Sequence, residues 1–285
     1  MKPAPFAYDA PRSLDAALAL LAQHGDGATV LAGGQSLVPL LNFRLARPAR
    51  VVDINRLEEL TDLRRRNHAL HIGALTRMRT LERSALVATH WPVLAEAARF
   101  VGHPQIRSRG TVGGSVAHAD PAAELPVVLT ALDARFHLRS ARGARVVRAR
   151  ELFVTYLTTS IEPDELLVEI EVPPVRRGAG AAFVEHARVH GDFALGGAAA
   201  VVALDPAGAC AAASIALLGA APVPLRATRA EGVLVGRGLD DESVREAAAE
   251  AVRDVEPAGD ARYRRALLAE LVRRALATAR ERGAA

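Results

Sequence analysis

Two short segments, each read as a glycine loop, carry the residue types best suited to holding a phosphorylated ligand. Ala32-Gly33-Gly34-Gln35-Ser36 lies between an apolar stretch, Thr29-Val30-Leu31, and a stretch of helical character from Leu37 to Arg44. Arg109-Gly110-Thr111-Val112-Gly113-Gly114-Ser115 repeats the chemistry about 80 residues later. Paired glycines let a backbone turn tightly and approach a ligand with no Cβ in the way. Ser36 is placed to cap the helix that follows, and free N–H groups at a helix start favour phosphate or pyrophosphate. Thr111 and Ser115 add hydroxyl donors. Alone, the first segment also reads as an ordinary tight turn. Two such segments suit a ligand with two phosphates and a long reach. Neither is G-x-G-x-x-G, so the dinucleotide fingerprint of the doubly wound folds is absent.

Other chemistries lack their residues. Lys2 is the only lysine, which excludes an internal Schiff-base lysine and the G-x-x-x-x-G-K-[ST] phosphate loop. Cys210 is the only cysteine, so there is no intrachain disulfide, and an iron–sulfur cluster needs about four thiolates. Its Ala-rich surroundings predict a small buried hydrophobe. The nine histidines show no metal-binding spacing. Redox chemistry on this chain therefore requires an organic cofactor. The net charge of +4 is spread over scattered arginines, which is no nucleic-acid footprint; the one tight run, Arg64-Arg65-Arg66, reads as a solvated turn. No apolar run approaches the roughly 20 residues of a membrane span, and no apolar segment follows Met1-Lys2-Pro3, so a cytoplasmic protein is expected.

The elements that must position the two segments follow from periodicity. Ser13 caps a helix with Leu14, Ala17, Leu18 and Leu21 on one face, ended by Gly25. Val51 to Asp53 is a strand. Leu63 to Arg65 and Ala69 to Ile72 form a hairpin around Asn67, and Thr76 caps a short helix. Pro92 opens a helix to about Val101; Ala122 to Leu132 is another helix. A second hairpin joins Arg135–Arg139 to Ala144–Arg148, and Glu165 to Val172 alternates as a strand. Pro173-Pro174 with Arg176-Arg177-Gly178 marks a linker. Beyond it, Phe193 to Leu204 and Ala211 to Leu218 are apolar runs around the turn Asp205-Pro206-Ala207-Gly208. Helical stretches follow at Thr228–Leu234, Asp241–Val252 and Arg262 to about Arg282.

The strings Ala32 to Pro48 and Ile106 to Pro126, with Phe183 to Ala194, resemble the FAD-binding medium subunits of molybdenum hydroxylases, the family of the carbon monoxide dehydrogenase medium subunit and the xanthine dehydrogenase flavin domain. The resemblance implies an α+β fold. A FAD-binding domain of the PCMH type would cover residues 1–175, in subdomains of about 1–55 and 56–175 with FAD between them. A C-terminal domain, residues 179–285, would pack a small antiparallel sheet on helices. Ala32, Gly33, Gly34, Gln35, Ser36 and Leu37, with Thr111, Gly113, Gly114 and Ser115, would hold the FAD pyrophosphate and adjoining parts. Asp120 would bond sugar or ribityl hydroxyls, or be a turn residue before Pro121. Phe193 would lie near the isoalloxazine, or in the core. Arg107 would pair with a phosphate or a surface carboxylate. Departures stand at Gln35, His118 and Glu124, where relatives often carry histidine or threonine, asparagine, and aspartate. FAD would be bound without a covalent link through His103 or His118.

The resemblance further implies an electron-transfer subunit fed by a small 2Fe–2S subunit and a large molybdopterin subunit, assembled as a dimer of heterotrimers. Its competitors are a self-contained flavin reductase or oxidase and a scaffold that binds no FAD.

Overall fold

A computed structural model of the chain describes residues 2–176 and 178–284. Met1, Arg177 and Ala285 lie outside them, so the Arg176-Arg177-Gly178 link is described only at its flanks. The chain is an α+β protein. It opens with a three-stranded parallel sheet, in the order Ala7–Asp9, Arg50–Asp53, Ala28–Leu31. The helix Leu14–His24 covers it. The Ser13 hydroxyl accepts the Ala16 N–H, Leu14, Ala17, Leu18 and Leu21 are buried, and Gly25 ends the helix at φ +47°. Parallel strands need crossovers, and this helix and the one at Leu37–Asn42 supply them.

An antiparallel five-stranded sheet follows, ordered Leu63–Arg66, Ala69–Gly73, Leu166–Val172, Arg135–Ser140, Gly143–Arg148. Both expected hairpins are present. Asn67 and His68 take positive φ at the first turn, where a right-handed strand pair favours left-handed residues. Arg64, Arg65 and Arg66 lie on its first strand with exposed side chains, not in a turn. Thr76 caps no helix; its hydroxyl donates towards the carbonyls of Thr61 and Asp62, and the helix begins at Met78 after Arg77. Helices Pro92–Phe100, Val112–His118 and Glu124–Ala131 cover one face of this sheet and form a core around Trp91, Leu94, Leu125 and Phe136.

The third sheet is antiparallel: Ala179–His186, Gly196–Leu204, Cys210–Leu218, Leu225–Arg226. Its two long central strands read as near-continuous apolar runs, Ser214 apart, because both faces are covered. Phe183, Ala199, Ala216 and Leu218 face the helices of the preceding unit and join their core. Ala182, Ala198, Ala200 and Ile215 face the other way, against helices Thr228–Leu234, Asp241–Ala251 and Ala261–Ala284. Cys210 is buried there, as its surroundings predict. Small residues let the last helix sit close. A Cβ on Gly180 would lie 1.7 Å from the Ala279 carbonyl oxygen, so only glycine fits that contact.

Polar ties cross between these layers. Glu96 accepts the Phe183 N–H at 3.2 Å and pairs with Arg282 at 2.9 and 3.0 Å. The Trp91 indole N–H donates to the Pro173 carbonyl at 2.8 Å and pins the proline-rich joint between the second and third sheets.

Candidate functional site

The first glycine segment leaves the parallel sheet at Leu31. Gly34 takes φ +74°, a conformation that penalises any other residue by about 1–2 kcal/mol. The Gln35 side-chain N–H donates to the Gly33 carbonyl at 3.0 Å and tightens the turn. Ser36 is exposed and its hydroxyl makes no capping bond, against expectation, because its own backbone is already helical and the side chain cannot reach back over the first turn. Val38 N–H is the first of the helix to find an acceptor, the Gly34 carbonyl at 3.0 Å. Among the described residues, the N–H groups of residues 33–37 therefore donate to nothing in the chain. Leu37 itself is half-buried at the start of that helix.

The second glycine segment is no loop. It forms the helix Val112–His118, with the Thr111 hydroxyl accepting the Gly114 N–H at 3.1 Å as cap. Its N–H groups are used by the fold: Val112 donates to Thr76, Gly113 to Ala74 and Ser115 to Thr111. A Cβ on Gly113 would sit 2.6 Å from Ala74, so this glycine answers to helix–strand packing. What the segment leaves over is hydroxyl chemistry at Thr111 and Ser115, which donate to no acceptor among the described residues.

The two segments touch. A Cβ on Gly33 would meet the Arg109 carbonyl oxygen at 2.6 Å, Gly110 Cα at 2.8 Å and Thr111 N at 3.0 Å. Beneath this joint runs a polar chain that sequence reasoning missed. The Tyr8 hydroxyl donates to Asp53 Oδ2 at 2.6 Å. The Asn55 side-chain amide donates to Asp53 Oδ1 and to the Ala32 carbonyl, each at 2.7 Å. Asn55 Oδ1 accepts from Arg77 Nη2 at 2.8 Å, and Arg77 Nη1 donates to the Arg109 carbonyl. Burial would raise the Asp53 pKa, but the bonds from Tyr8 and Asn55 outweigh it and hold the carboxyl below the usual range. The Tyr8 phenol is pushed up by its bond to that carboxylate. Burial, then the nearby Arg109, lower the Arg77 guanidinium. The only signal in the sequence was an asparagine two residues past a strand end, which reads as a turn residue.

Arg77 also lines an open cleft of about 550 Å³ with Arg79, Arg83, Thr80, Ser84, Ser108 and Leu63. Among the described residues these arginines pair with no carboxylate, so the wall is positive. Arg107 is buried and binds Glu82 at 2.9 Å and the carbonyls of Val101 and Gly102. Its partner is thus a carboxylate, and the guanidinium braces the turn before the helix Pro104–Arg109.

Asp120 follows Ala119, which is left-handed at φ +52°. One carboxylate oxygen accepts the Ala122 N–H at 2.8 Å; the other lies 3.9 Å from His118. It is thus a turn residue with one oxygen only loosely engaged. Glu124 starts the next helix, buried, and burial pushes its carboxyl up to about 8. Glu185 projects from the third sheet near it; burial pushes this carboxyl up to about 7, and its Oε2 is buried with no hydrogen-bond partner. Phe193 is 71% exposed, in the turn before the strand that starts at Gly196, so it is not a core residue. Gly191 of the same turn lies against His103, the residue that precedes the helix Pro104–Arg109.

Residues 4–175 match the family described as the FAD binding domain in molybdopterin dehydrogenase. Residues 181–279 match the carbon monoxide dehydrogenase flavoprotein C-terminal domain. The chain belongs to the FAD-binding subunits of the molybdenum hydroxylases. Over 286 aligned residues it is 47% identical to the 6-hydroxypseudooxynicotine dehydrogenase complex subunit alpha of Paenarthrobacter nicotinovorans, covering 99% of this chain and 97% of that one. Its structure matches that of a carbon monoxide dehydrogenase from Hydrogenophaga pseudoflava lacking the Mo-pyranopterin moiety. There the TM-score is 0.96 at 40% identity, with 99% of each chain covered. Quinoline 2-oxidoreductase from Pseudomonas putida 86 superposes with TM-score 0.94 at 35% identity, again over 99% of each chain. This is an oxidoreductase family whose cofactor is FAD. No helix among the described residues is long and apolar enough to cross a membrane.

Proposed function

We propose that the chain is the FAD-carrying electron-transfer subunit of a multi-subunit molybdenum hydroxylase. It would pass electrons from 2Fe–2S clusters on a small partner, supplied by a large molybdopterin partner, to an external acceptor in the cytoplasm. The observation that carries the reading is the run of uncommitted N–H groups at residues 33–37, set against the hydroxyls of Thr111 and Ser115. A run of donors with no internal acceptor suits a pyrophosphate. Ala32 to Leu37 would hold that group, with Thr111, Gly113, Gly114 and Ser115 forming the opposite wall and the arginine-lined cleft adding positive potential. The free oxygen of Asp120 would accept from ribityl or sugar hydroxyls. Phe193 would present an aromatic face at the rim.

When bound, FAD supplies the redox chemistry. The chain's own task is to bind and orient it. Residues 1–175 would form the cofactor-binding domain and 179–285 the second domain. With Cys210 as its only thiol, the chain needs its iron–sulfur centres from a partner. The names of its relatives as complex subunits and medium chains support such an assembly, and a dimer of heterotrimers is the proposed form.

An absorption spectrum of the purified chain, with release and identification of any yellow cofactor, tests the binding claim. Released FAD is expected; a colourless chain that refuses added FAD sinks it. In the assembled complex, the flavin is expected to bleach when the complex's substrate is added without another electron donor. Turnover of NADH or small alcohols by the chain alone would assign it instead to the self-contained oxidoreductases.

A further inference from the structure

We propose that Asn55 and Arg77 are positioning residues that fix the spacing of the two glycine segments and thereby set the affinity for the cofactor, without either residue touching it. The proposal rests on the FAD reading above. Its ground is the hydrogen-bond chain between the segments. Asn55 donates to the Ala32 carbonyl, the entry to the first segment, at 2.7 Å. Arg77 donates to the Arg109 carbonyl, the entry to the second. The two side chains bind each other at 2.8 Å, so each segment is held by one arm of a single clamp. Asp53 orients the amide by accepting from both the backbone and side-chain N–H of Asn55, at 2.9 and 2.7 Å, which settles which end of the amide faces Arg77. The backbone reinforces the clamp: Arg77 pairs with Thr111 as an isolated bridge, and Met78 N–H donates to the Gly110 carbonyl at 3.0 Å.

The clamp takes up the carbonyls of Ala32 and Arg109 and leaves the N–H groups of residues 33–37 without an acceptor among the described residues. Peptide planes are rigid, so fixing the carbonyl of Ala32 fixes the direction of the Gly33 N–H. Asn55 therefore aims a donor it does not itself contact. Gly33 has its backbone against Arg109 and Gly110, so a change in clamp length moves both segments relative to each other with no slack to absorb it.

The test uses the full chain stripped of cofactor, titrated with FAD and followed by quenching of flavin fluorescence. Asn55→Ala and Arg77→Lys are each expected to raise the FAD Kd about tenfold, the low end of what partners one layer behind a bound group carry. The double variant is expected to fall well short of the product of the two, because both residues serve one clamp. Asn55→Asp keeps the acceptor for Arg77 but loses the donor to Ala32, and is expected to bind as weakly as Asn55→Ala. Ser13→Ala, which removes a helix cap in the same unit away from the joint, is the control for a merely structural loss and should leave Kd unchanged. If the wild type and Ser13→Ala bind FAD and the clamp variants bind equally well, the proposal is overturned while the FAD reading stands. A wild-type chain that takes up no FAD overturns both.

Discussion

Two joints in this molecule are built by the same device and come out opposite in character. At the first, Gly33 brings the first glycine segment into backbone contact with Arg109 to Thr111. At the second, Gly180 and Gly283 bring strand Ala179–His186 against the last helix. Both use a missing Cβ to let backbone meet backbone. At the second joint the strand pairs along one side with Gly196–Leu204, and on its outer side Glu96 takes the Phe183 N–H and Arg282 the Ala181 carbonyl, so these backbone groups are partnered. At the first joint the chain has left its sheet, and five consecutive N–H groups, those of residues 33–37, find no acceptor among the described residues. A glycine contact makes a seam when the neighbouring backbone is hydrogen-bonded and a site when it is not.

Substitutions at these positions can break that contrast. The largest effect is expected from Gly180→Ala. Its Cβ would meet backbone oxygen at 1.7 Å with no flexible side chain to yield, so the loss should reach or exceed the upper end of overpacking costs, about 3 kcal/mol. A urea midpoint measures it, and an unchanged midpoint would mean the helix can slide. Gly33→Ala meets a 2.6 Å contact and should cost about 1–3 kcal/mol, but with a disproportionate loss of FAD uptake. Equal effects of the two variants on FAD affinity would erase the distinction between seam and site.

A third expectation concerns the acidic pair Glu124 and Glu185. Their folded-state pKa values are raised to about 8 and about 7. Between the ordinary carboxyl range and those values, the folded chain holds protons that the unfolded chain has released. Stability should therefore fall as pH rises from about 4.5 towards 8. Glu185→Gln should flatten that fall, by on the order of 1–2 kcal/mol after allowance for solvent screening. Thermal melts of both proteins across this range decide it; parallel curves would count against burial as the cause. The smallest effect is Gly232→Ala. This exposed helical glycine has no atom within 4 Å of its would-be Cβ, so alanine should stabilise by about 0.5–1 kcal/mol. A loss there would show that glycine is required for a reason other than contact.

The expected secondary elements follow local rules and were largely legible in the sequence. Ser13 caps its helix, both hairpins form, and Thr228–Leu234 is helical over that stretch. The apolar runs also announced the two central strands of the third sheet, though not that both of its faces are covered. The errors came where a long-range contact outvoted a local signal. Thr76 looked like a cap but is turned towards carbonyls of residues 61 and 62. Gly113 and Gly114 looked like a loop but are helical, because Gly113 must pack on Ala74 and Thr111 supplies the cap. Phe193 continued an apolar run in sequence, yet the strand starts three residues later and the ring lies exposed. The clamp was invisible because Asn55 and Arg77 are 22 residues apart, and neither spacing nor residue type marks a bond between them.

Trp91 gives the molecule a built-in optical gauge. It is the only tryptophan, 1% exposed, and its indole N–H is held by the Pro173 carbonyl in the stretch between the second and third sheets. Emission from a buried, hydrogen-bonded indole shifts to longer wavelength when water reaches it. The intrinsic fluorescence of the whole chain is thus a single-site readout of whether that proline stretch is seated. It can time the parting of the third sheet from the helices beside it, separately from any signal at the glycine segments.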